Sequence, residues 1–599
     1  MVKGKQLSES YVGQSVRAKE LRAPLVGKAK YTNDYTFEGQ LYAYILRSPH
    51  AAAKINSVDL SGAKKISGVH LALCGRDIFE HTNGITDHLN PAIFGGKSTR
   101  LPMMAVDEAW CYGQPVAIVI AEDERTARYA ASRIQVDYTL KEPVVDAEKA
   151  IAKGARSVVP EWDDNVLIYV PFMNGDTQAA FDQADKIVTT DVKIHRFSSQ
   201  PMETRCYNAV WEHDTESITL YGTCQNPHPL RLVLAETLRM NENKIRIIAS
   251  TIGGAFGLKM HGHPEEPLIC LMTKLIRRPV KWVENREECL LIGAREQQHK
   301  VEMAFDSDGN MTGLRDHFLA NIGAPSACPG WGMAFLTGLT MPGPYKVENI
   351  DVHMNAVTTN KPSWNAARGY GKESTAIALE LAMDNAARQF GISPIDLRLR
   401  NFITKDQFPY PSPTGLVYDS GDYGGVLLKA LETIGYEDWK DKQKTALAEG
   451  RHIGIGMAFE LTPEGGTIPG TMVAGYDSSS VRVGPDGTVR VLTGITSPGT
   501  HNGTAIAQIV ADELGIDMDR IEVLQGDTNS SPYGFGNYSG RSTIVGGGSA
   551  ALAAKDVRNK INAVAAALLE VEIETLSLSE GIFSSSDNGD ATLTFAEVC

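Results

Sequence analysis

The stretch Thr251-Ile-Gly-Gly-Ala-Phe-Gly-Leu-Lys259 decides how the rest of the chain is read. Before it, residues 243–250 carry Ile245, Ile247 and Ile248 in the pattern of a buried strand. After it, residues 265–275 read as a helix. Glycines between a strand and a helix let backbone N–H groups come close to an anionic ligand at a helix N-terminus. The spacing of Gly253, Gly254 and Gly257 fits neither G-x-G-x-x-G nor G-x-x-x-x-G-K-[ST], which excludes the dinucleotide fingerprint and the P-loop. Taken alone, the three glycines serve a tight turn equally well.

A chain of 599 residues implies about three or four domains. Its 43% hydrophobic and 22% charged residues are those of a globular protein with several sizeable cores. The net charge of −14 argues against nucleic acid or an anionic membrane as partner. No run of 18 apolar residues and no apolar leader occurs, so no membrane span and a cytoplasmic location are expected. Eight scattered cysteines form no C-x-x-C, so a disulfide scaffold, a zinc ribbon and a cysteine-ligated cluster lack support.

Read in order, the pattern is mixed α/β, an α+β multidomain chain. Residues 1–21 form a polar extended arm and 22–142 a first α/β domain, with strands at 41–47, 116–121 and 134–138 and helices near 60–65 and 124–132. Residues 143–170 read as a linker containing Pro143 and Pro160. Residues 171–405 form a second domain, with strands at 187–194, 218–223 and 280–283 and helices at 229–240 and 373–390. Residues 406–599 form a third, with a helix at 423–434, strands at 453–461, 481–483, 489–493 and 521–525, and helices at 503–514 and 546–569. Asp306-Ser-Asp-Gly309 and Pro485-Asp-Gly487 are hairpin turns; the glycine of the former falls at the fourth position, not the sixth that a calcium loop needs. Strand, glycine loop and helix recur in both halves, suggesting two related ligand-binding regions.

Two further segments change the weight of the glycine loop. Thr223-Cys-Gln-Asn-Pro-His228 lies before it, and Ala366-Ala-Arg-Gly-Tyr-Gly371 after it. In this order the motifs resemble the molybdopterin-binding large subunit of the xanthine dehydrogenase family, the molybdenum hydroxylases, and the resemblance runs over nearly the whole chain. It implies an N-terminal α/β hammerhead domain at 22–142 followed by two molybdopterin-binding domains. It implies molybdopterin with molybdenum, as mononucleotide or cytosine dinucleotide. Iron–sulfur clusters and FAD are then carried by partner subunits in a dimer of heteromers. The reaction implied is hydroxylation of an electron-poor carbon in an N-heteroaromatic ring or aldehyde, with water as oxygen source. A reductive member acting on an aromatic acyl thioester, or a non-catalytic cofactor-binding or assembly homologue, are the alternatives.

The resemblance assigns Gly253, Gly254, Ala255, Phe256, Gly257, Arg368 and Gly369 to the cofactor, with Phe256 and Arg368 flanking the reacting centre. Gly499, Thr500 and His501, and Gly540, Arg541 and Ser542, correspond to two further cofactor loops; Thr500 replaces the family's usual glutamine. Arg368 offers a forked donor set to an anion or a metal-oxo group; the bland reading is a structural salt bridge. Met260, Leu336, Trp364 and Tyr370 are expected to line the substrate pocket. Met260 and Leu336 stand where purine hydroxylases carry a glutamate and an arginine, so the polar hooks for a purine are missing. Gly369 stands where aerobic carbon monoxide dehydrogenases carry a copper-binding cysteine.

His261-Gly-His263 has the spacing of a metal pair without an evident third ligand. Glu265 and Glu266 are the carboxylates nearest the glycine loop in sequence. The family's base is a glutamate in a Gly-x-x-Gly-Glu segment, which does not occur near Cys599. The resemblance thus implies that the second molybdopterin-binding domain is incomplete, through a divided large subunit or a truncated chain; a second large-subunit fragment, packing against residues 410–599 and carrying that glutamate, is the explanation expected.

Overall fold

The computed structural model describes residues 10–86, 89–462, 476–587 and 591–599. Its largest sheet has seven strands in the order Ile245–Ile248, Ser217–Gly222, Cys206–Glu212, Val280–Val283, Leu41–Arg47, Pro115–Ala121 and Val69–Cys74. Leu41–Arg47 runs parallel to Val280–Val283 and joins strands from residues 41–121 to strands from residues 206–283 in one ladder. Every residue of Pro115–Ala121 is buried, as a strand covered on both faces requires. Helices Pro227–Leu238 and Glu265–Ile276 supply Leu230, Val233, Leu234, Leu268, Ile269 and Met272 to the core beside this sheet.

A five-stranded sheet follows the order Val166–Asn174, Asn349–Thr358, Met311–Gly323, Gln297–Phe305 and Lys186–Ile194. Its inner face, with Leu314, Phe318, Val352 and Met354, packs with Ala378, Leu379, Ala382, Met383 and Ala386 of the helix Lys372–Phe390. Residues 143–170, read as a linker, hold the helix Ala147–Ala150 and the start of the edge strand Val166–Asn174. Pro171 is tolerated because the strand lies at the sheet's edge.

In the third region Ser479–Val483, Val489–Thr493 and Ile521–Leu524 form a sheet, against which Asn502–Leu514 and Gly547–Leu569 pack around Val491, Ile506, Val510 and Ala554. Both expected hairpin turns join antiparallel strands. Residues 453–461 depart from expectation and form no strand. Met457, Phe459 and Leu461 pack on the core, but Gly454 and Gly456 alternate with Ile455 and no strand pairs with the segment. Residues 10–21 of the arm lie along Asn502–Leu514: the Tyr11 and Val12 N–H groups bond the Asp512 carboxylate, and Lys19 bonds the Met518 and Ile521 carbonyls.

Candidate functional site

The glycine loop follows the strand Ile245–Ile248 as expected and is held at both ends by one carboxylate. Glu203 Oε2 accepts from the Gly253 N–H at 2.7 Å and from the Lys259 ammonium at 2.8 Å. The Lys259 side chain is wholly buried, and burial pulls its pKa down against the attraction of Glu203. Between these anchors Gly254 has φ +87° and Gly257 φ +96°, conformations that suit glycine. A Cβ on Gly257 would stand 2.6 Å from the Ala366 carbonyl, so the loop and the segment before Arg368 meet backbone to backbone. The Arg368 N–H donates to the Phe256 carbonyl at 2.9 Å, and the guanidinium lies 5.3 Å from the Phe256 ring centre. Both side chains are exposed, and Arg368 makes no ion pair among the described residues. The structural salt bridge considered for it is not formed there.

Gln225, from Thr223-Cys-Gln-Asn-Pro-His228, ties the loops together. Its Oε1 accepts from the Gly257 N–H at 3.1 Å, and its Nε2 donates to the Asn537 carbonyl at 2.9 Å. Its carbonyl accepts from Thr496 Oγ1 and from the Asn537 N–H. The Asn537 amide in turn reaches Thr500 Oγ1 at 3.3 Å and Ser542 Oγ at 3.0 Å. Loops at 253–257, 496–500 and 536–542 thus share two buried amide residues, and 366–368 joins them through Phe256. Gln225 and Asn537 are the residues that local reading misses. The first lay inside a motif used only as a fingerprint, and its partner is more than 300 positions away.

The exposed rim over these anchors consists of Phe256, Arg368, Gly499, Thr500 and Gly540. A Cβ on Gly499 would meet nothing within 4 Å, so backbone faces open space there. Ala255 is buried beneath the rim, Gly369 is half-buried, and His501, at φ +55°, precedes the helix Asn502–Leu514. Arg541 differs from expectation. It is 4% exposed, paired with Asp477 and bonded to the Gly536 and Tyr476 carbonyls, so it shapes the loop from below instead of facing a ligand. Burial raises the Asp477 carboxyl to about 6 despite that arginine.

The helix Glu265–Ile276 does not offer its N-terminus to a ligand. The Glu266 carboxylate accepts from the Gly262 and His263 N–H groups, and Tyr207 donates to its other oxygen at 3.1 Å. Burial pushes Glu266 up to about 8. Glu265 is also desolvated, but Arg205 and Arg47, each at 2.8 Å, hold it well below the usual carboxylate range. The Nε2 of His263 bonds the Leu258 carbonyl at 2.8 Å, and burial lowers its pKa to about 3, so the His261–His263 pair is built into the core.

Two adjoining clefts, of about 220 and 130 Å³, share Trp364 and the segment Ala324–Cys328 as walls. Trp162 and Trp331 add aromatic surface to one, Trp110 and Tyr112 to the other. Of the four expected pocket residues, only Trp364 lines them. Tyr370 donates to the Pro329 carbonyl at 2.6 Å, Leu336 is half-buried on Gly332–Leu339, and Met260 is half-buried beyond the glycine loop.

Taken together, the rim can bind an anionic group with backbone donors and one forked cation over a rigid base. The comparisons with known proteins agree. Residues 26–142 match the aldehyde oxidase and xanthine dehydrogenase a/b hammerhead domain, and residues 159–402 and 429–599 each match a molybdopterin cofactor-binding domain. The nicotine 6-hydroxylase large subunit of Paenarthrobacter nicotinovorans is 32% identical over 99% of this chain and 73% of its own length. The carbon monoxide dehydrogenase large chain of Afipia carboxidovorans is 32% identical over 91% of this chain and 70% of its own. Quinoline 2-oxidoreductase from Pseudomonas putida 86 superposes with a TM-score of 0.94 at 32% identity, covering 99% of this chain and 76% of that one. No helix of the described residues is long and apolar enough to cross a membrane. The chain belongs to the molybdopterin-binding large subunits of the xanthine dehydrogenase family, and it is a molybdenum-dependent hydroxylase or dehydrogenase subunit.

Proposed function

We propose that this subunit hydroxylates an electron-poor carbon of an N-heteroaromatic ring, with water as oxygen source. The observation that carries the reading is the open rim of backbone donors, set over loops that Gln225 and Asn537 tie together. The residues fit an anionic pterin: Gly253, Gly254 and Gly257 on one side and Gly499, Thr500, His501 and Gly540 on the other would hold it, as mononucleotide or cytosine dinucleotide, with Ala255 and Ser542 buried beneath them. When bound, the molybdenum cofactor supplies the two-electron chemistry and a strongly nucleophilic oxygen at neutral pH. With the group bound, Phe256 would cover one side of it, and Arg368 would offer its negative charge a fork that a point charge cannot copy.

Relatives named for nicotine and quinoline support a ring substrate. Position 369 is a glycine with φ +103°, so the chain has no cysteine where carbon monoxide dehydrogenases carry their copper ligand. Met260 and Leu336 stand in sequence where purine hydroxylases carry polar residues, although neither lines the two clefts. Glu265 and Glu266 are both committed inside the core, so neither is placed to act as the base. Relatives named as a large subunit and as a complex subunit support a heteromer, and the family resemblance implies that its other subunits carry iron–sulfur clusters and FAD.

A spectrophotometric screen of heteroaromatics, aldehydes and xanthine, with an artificial electron acceptor, tests this reading. N-heteroaromatics should turn over at least about tenfold faster than xanthine, whose polar groups would be left unpaired. Xanthine oxidised as fast as the best heteroaromatic would overturn it.

A further inference from the structure

The outer face of the five-stranded sheet carries a group of side chains that the cofactor site does not use. His317 lies on Met311–Gly323, and Asp351 and His353 lie on the neighbouring parallel strand Asn349–Thr358. The register sets His317 directly opposite His353, and Asp351 is two residues before His353, hence on the same face. His317 is exposed and the other two are half-buried, whereas the intervening Phe318 and Val352 face the core. The sheet therefore delivers two imidazoles and one carboxylate to one spot without any loop.

The geometry is convergent. His353 Nε2 is 2.7 Å from one Asp351 oxygen, and His317 Nε2 is 3.9 Å from the other. One ligand atom from each residue lies within 4.8 Å of the others. A tetrahedral zinc ion with bonds of about 2.0–2.1 Å needs its ligand atoms about 3.4 Å apart. The exposed His317 ring can close that gap by a small rotation. The other ring nitrogen of His353, Nδ1, is hydrogen-bonded to the Tyr169 hydroxyl from the third strand, Val166–Asn174. An outer partner of this kind orients an imidazole and fixes which nitrogen faces the metal. Two cations stand near: Arg315 is 3.7 Å from Asp351, but Gln178 binds its guanidinium at 2.8 Å and the Phe181 ring lies beneath it, and Lys300, opposite His317 in the register, has Glu302 at 3.9 Å. The ring centroids of His317 and His353 are 4.3 Å apart, a separation at which two protonated rings would repel and one shared cation would hold both.

We propose that His317, Asp351 and His353 form a surface site for a borderline divalent transition metal ion of the zinc class, with Tyr169 as outer partner and water in the remaining position. Two imidazoles with one carboxylate suit such an ion better than calcium or magnesium, which prefer oxygen ligands alone. The ion would link two neighbouring interior strands of the sheet, Met311–Gly323 and Asn349–Thr358.

The test is calorimetric titration of zinc into the chelator-treated full-length protein in a non-coordinating buffer, with thermal melting beside it. The wild type should take up one saturable equivalent per chain. His353→Ala and His317→Ala should each weaken it at least about tenfold, and Asp351→Asn less. Cys599→Ser, which removes the exposed thiol, should leave it intact. Zinc should raise the melting temperature of the wild type and not of His317→Ala, whose exposed position leaves folding unaffected. Equal affinity and stoichiometry in the wild type and both histidine variants, or no saturable uptake by the wild type, would overturn the proposal.

Discussion

Two regions of the molecule follow the same path and are secured differently. In the first, the strand Ser217–Gly222, the helix Pro227–Leu238 and the parallel strand Ile245–Ile248 lead into the glycine loop. In the second, Val489–Thr493, Asn502–Leu514 and the parallel strand Ile521–Leu524 lead into residues 526–542. The path aligns Thr223–His228 with the loop before His501, and the loop at 251–259 with that at 526–542. The first glycine loop is clamped by a buried ion pair, Glu203 with Lys259. The Gly499–His501 turn is held by neutral Asn537, and the helix after it is capped from outside by Glu20, which accepts from the Thr504 N–H at 3.0 Å. One side of the site is rigid through its own charges; the other depends on a neighbouring loop and on the N-terminal arm.

If that contrast is right, breaking the two anchors has unequal consequences. Glu203→Ala strands the Lys259 ammonium in a dry interior and should cost about 3–5 kcal/mol, the scale for removing one partner of a buried pair. Denaturant titration measures this, and a loss below about 1 kcal/mol would mean that water relieves the lysine. Arg368→Lys should keep the fold and lower kcat/KM by roughly a hundredfold, because the forked donor becomes a point charge. Steady-state kinetics at matched molybdenum content checks it.

A third effect concerns pH. The folded-state pKa of Glu266 lies near 8, above its ordinary value, so the folded protein binds the proton more tightly than the unfolded chain. Its contribution is full below the unfolded pKa and is lost as pH rises through about 8. Melting temperature should therefore fall across that window in the wild type and fall less in Glu266→Gln. A parallel decline in both would separate the slope from this group. Smallest of all, Thr500→Ala removes a single 3.3 Å hydrogen bond at an exposed position and should cost less than about 1 kcal/mol.

Local pattern carried the elements that depend on local physics. The isoleucines at 245, 247 and 248, the apolar spacing of Lys372–Phe390, Gly515 closing Asn502–Leu514 and the two Asp-Gly turns all stand where their chemistry places them. Features set by distant contacts were not legible. Nothing near Gln225 announces Asn537, and nothing near Leu41 announces its pairing with Val280. The strand expected at 453–461 failed because alternation supplies a face but not a partner. Glu266 was read as a carboxylate near the glycine loop, whereas burial and three donors make it the cap of the helix Glu265–Ile276.

The central claim is that backbone at Gly254, with the loops joined through Gln225 and Asn537, cradles the molybdenum cofactor. The most direct measurement is molybdenum and pterin per chain in Gly254→Val against wild type, both purified from cells that make the cofactor. Gly254 has φ +87°, and a Cβ there would lie 3.1 Å from the Phe256 ring, so a branched side chain both strains the loop and invades the cradle. The account predicts about one molybdenum per wild-type chain and less than about a tenth of that in the variant, with far-ultraviolet circular dichroism unchanged. Wild-type molybdenum content in a folded Gly254→Val protein would contradict it.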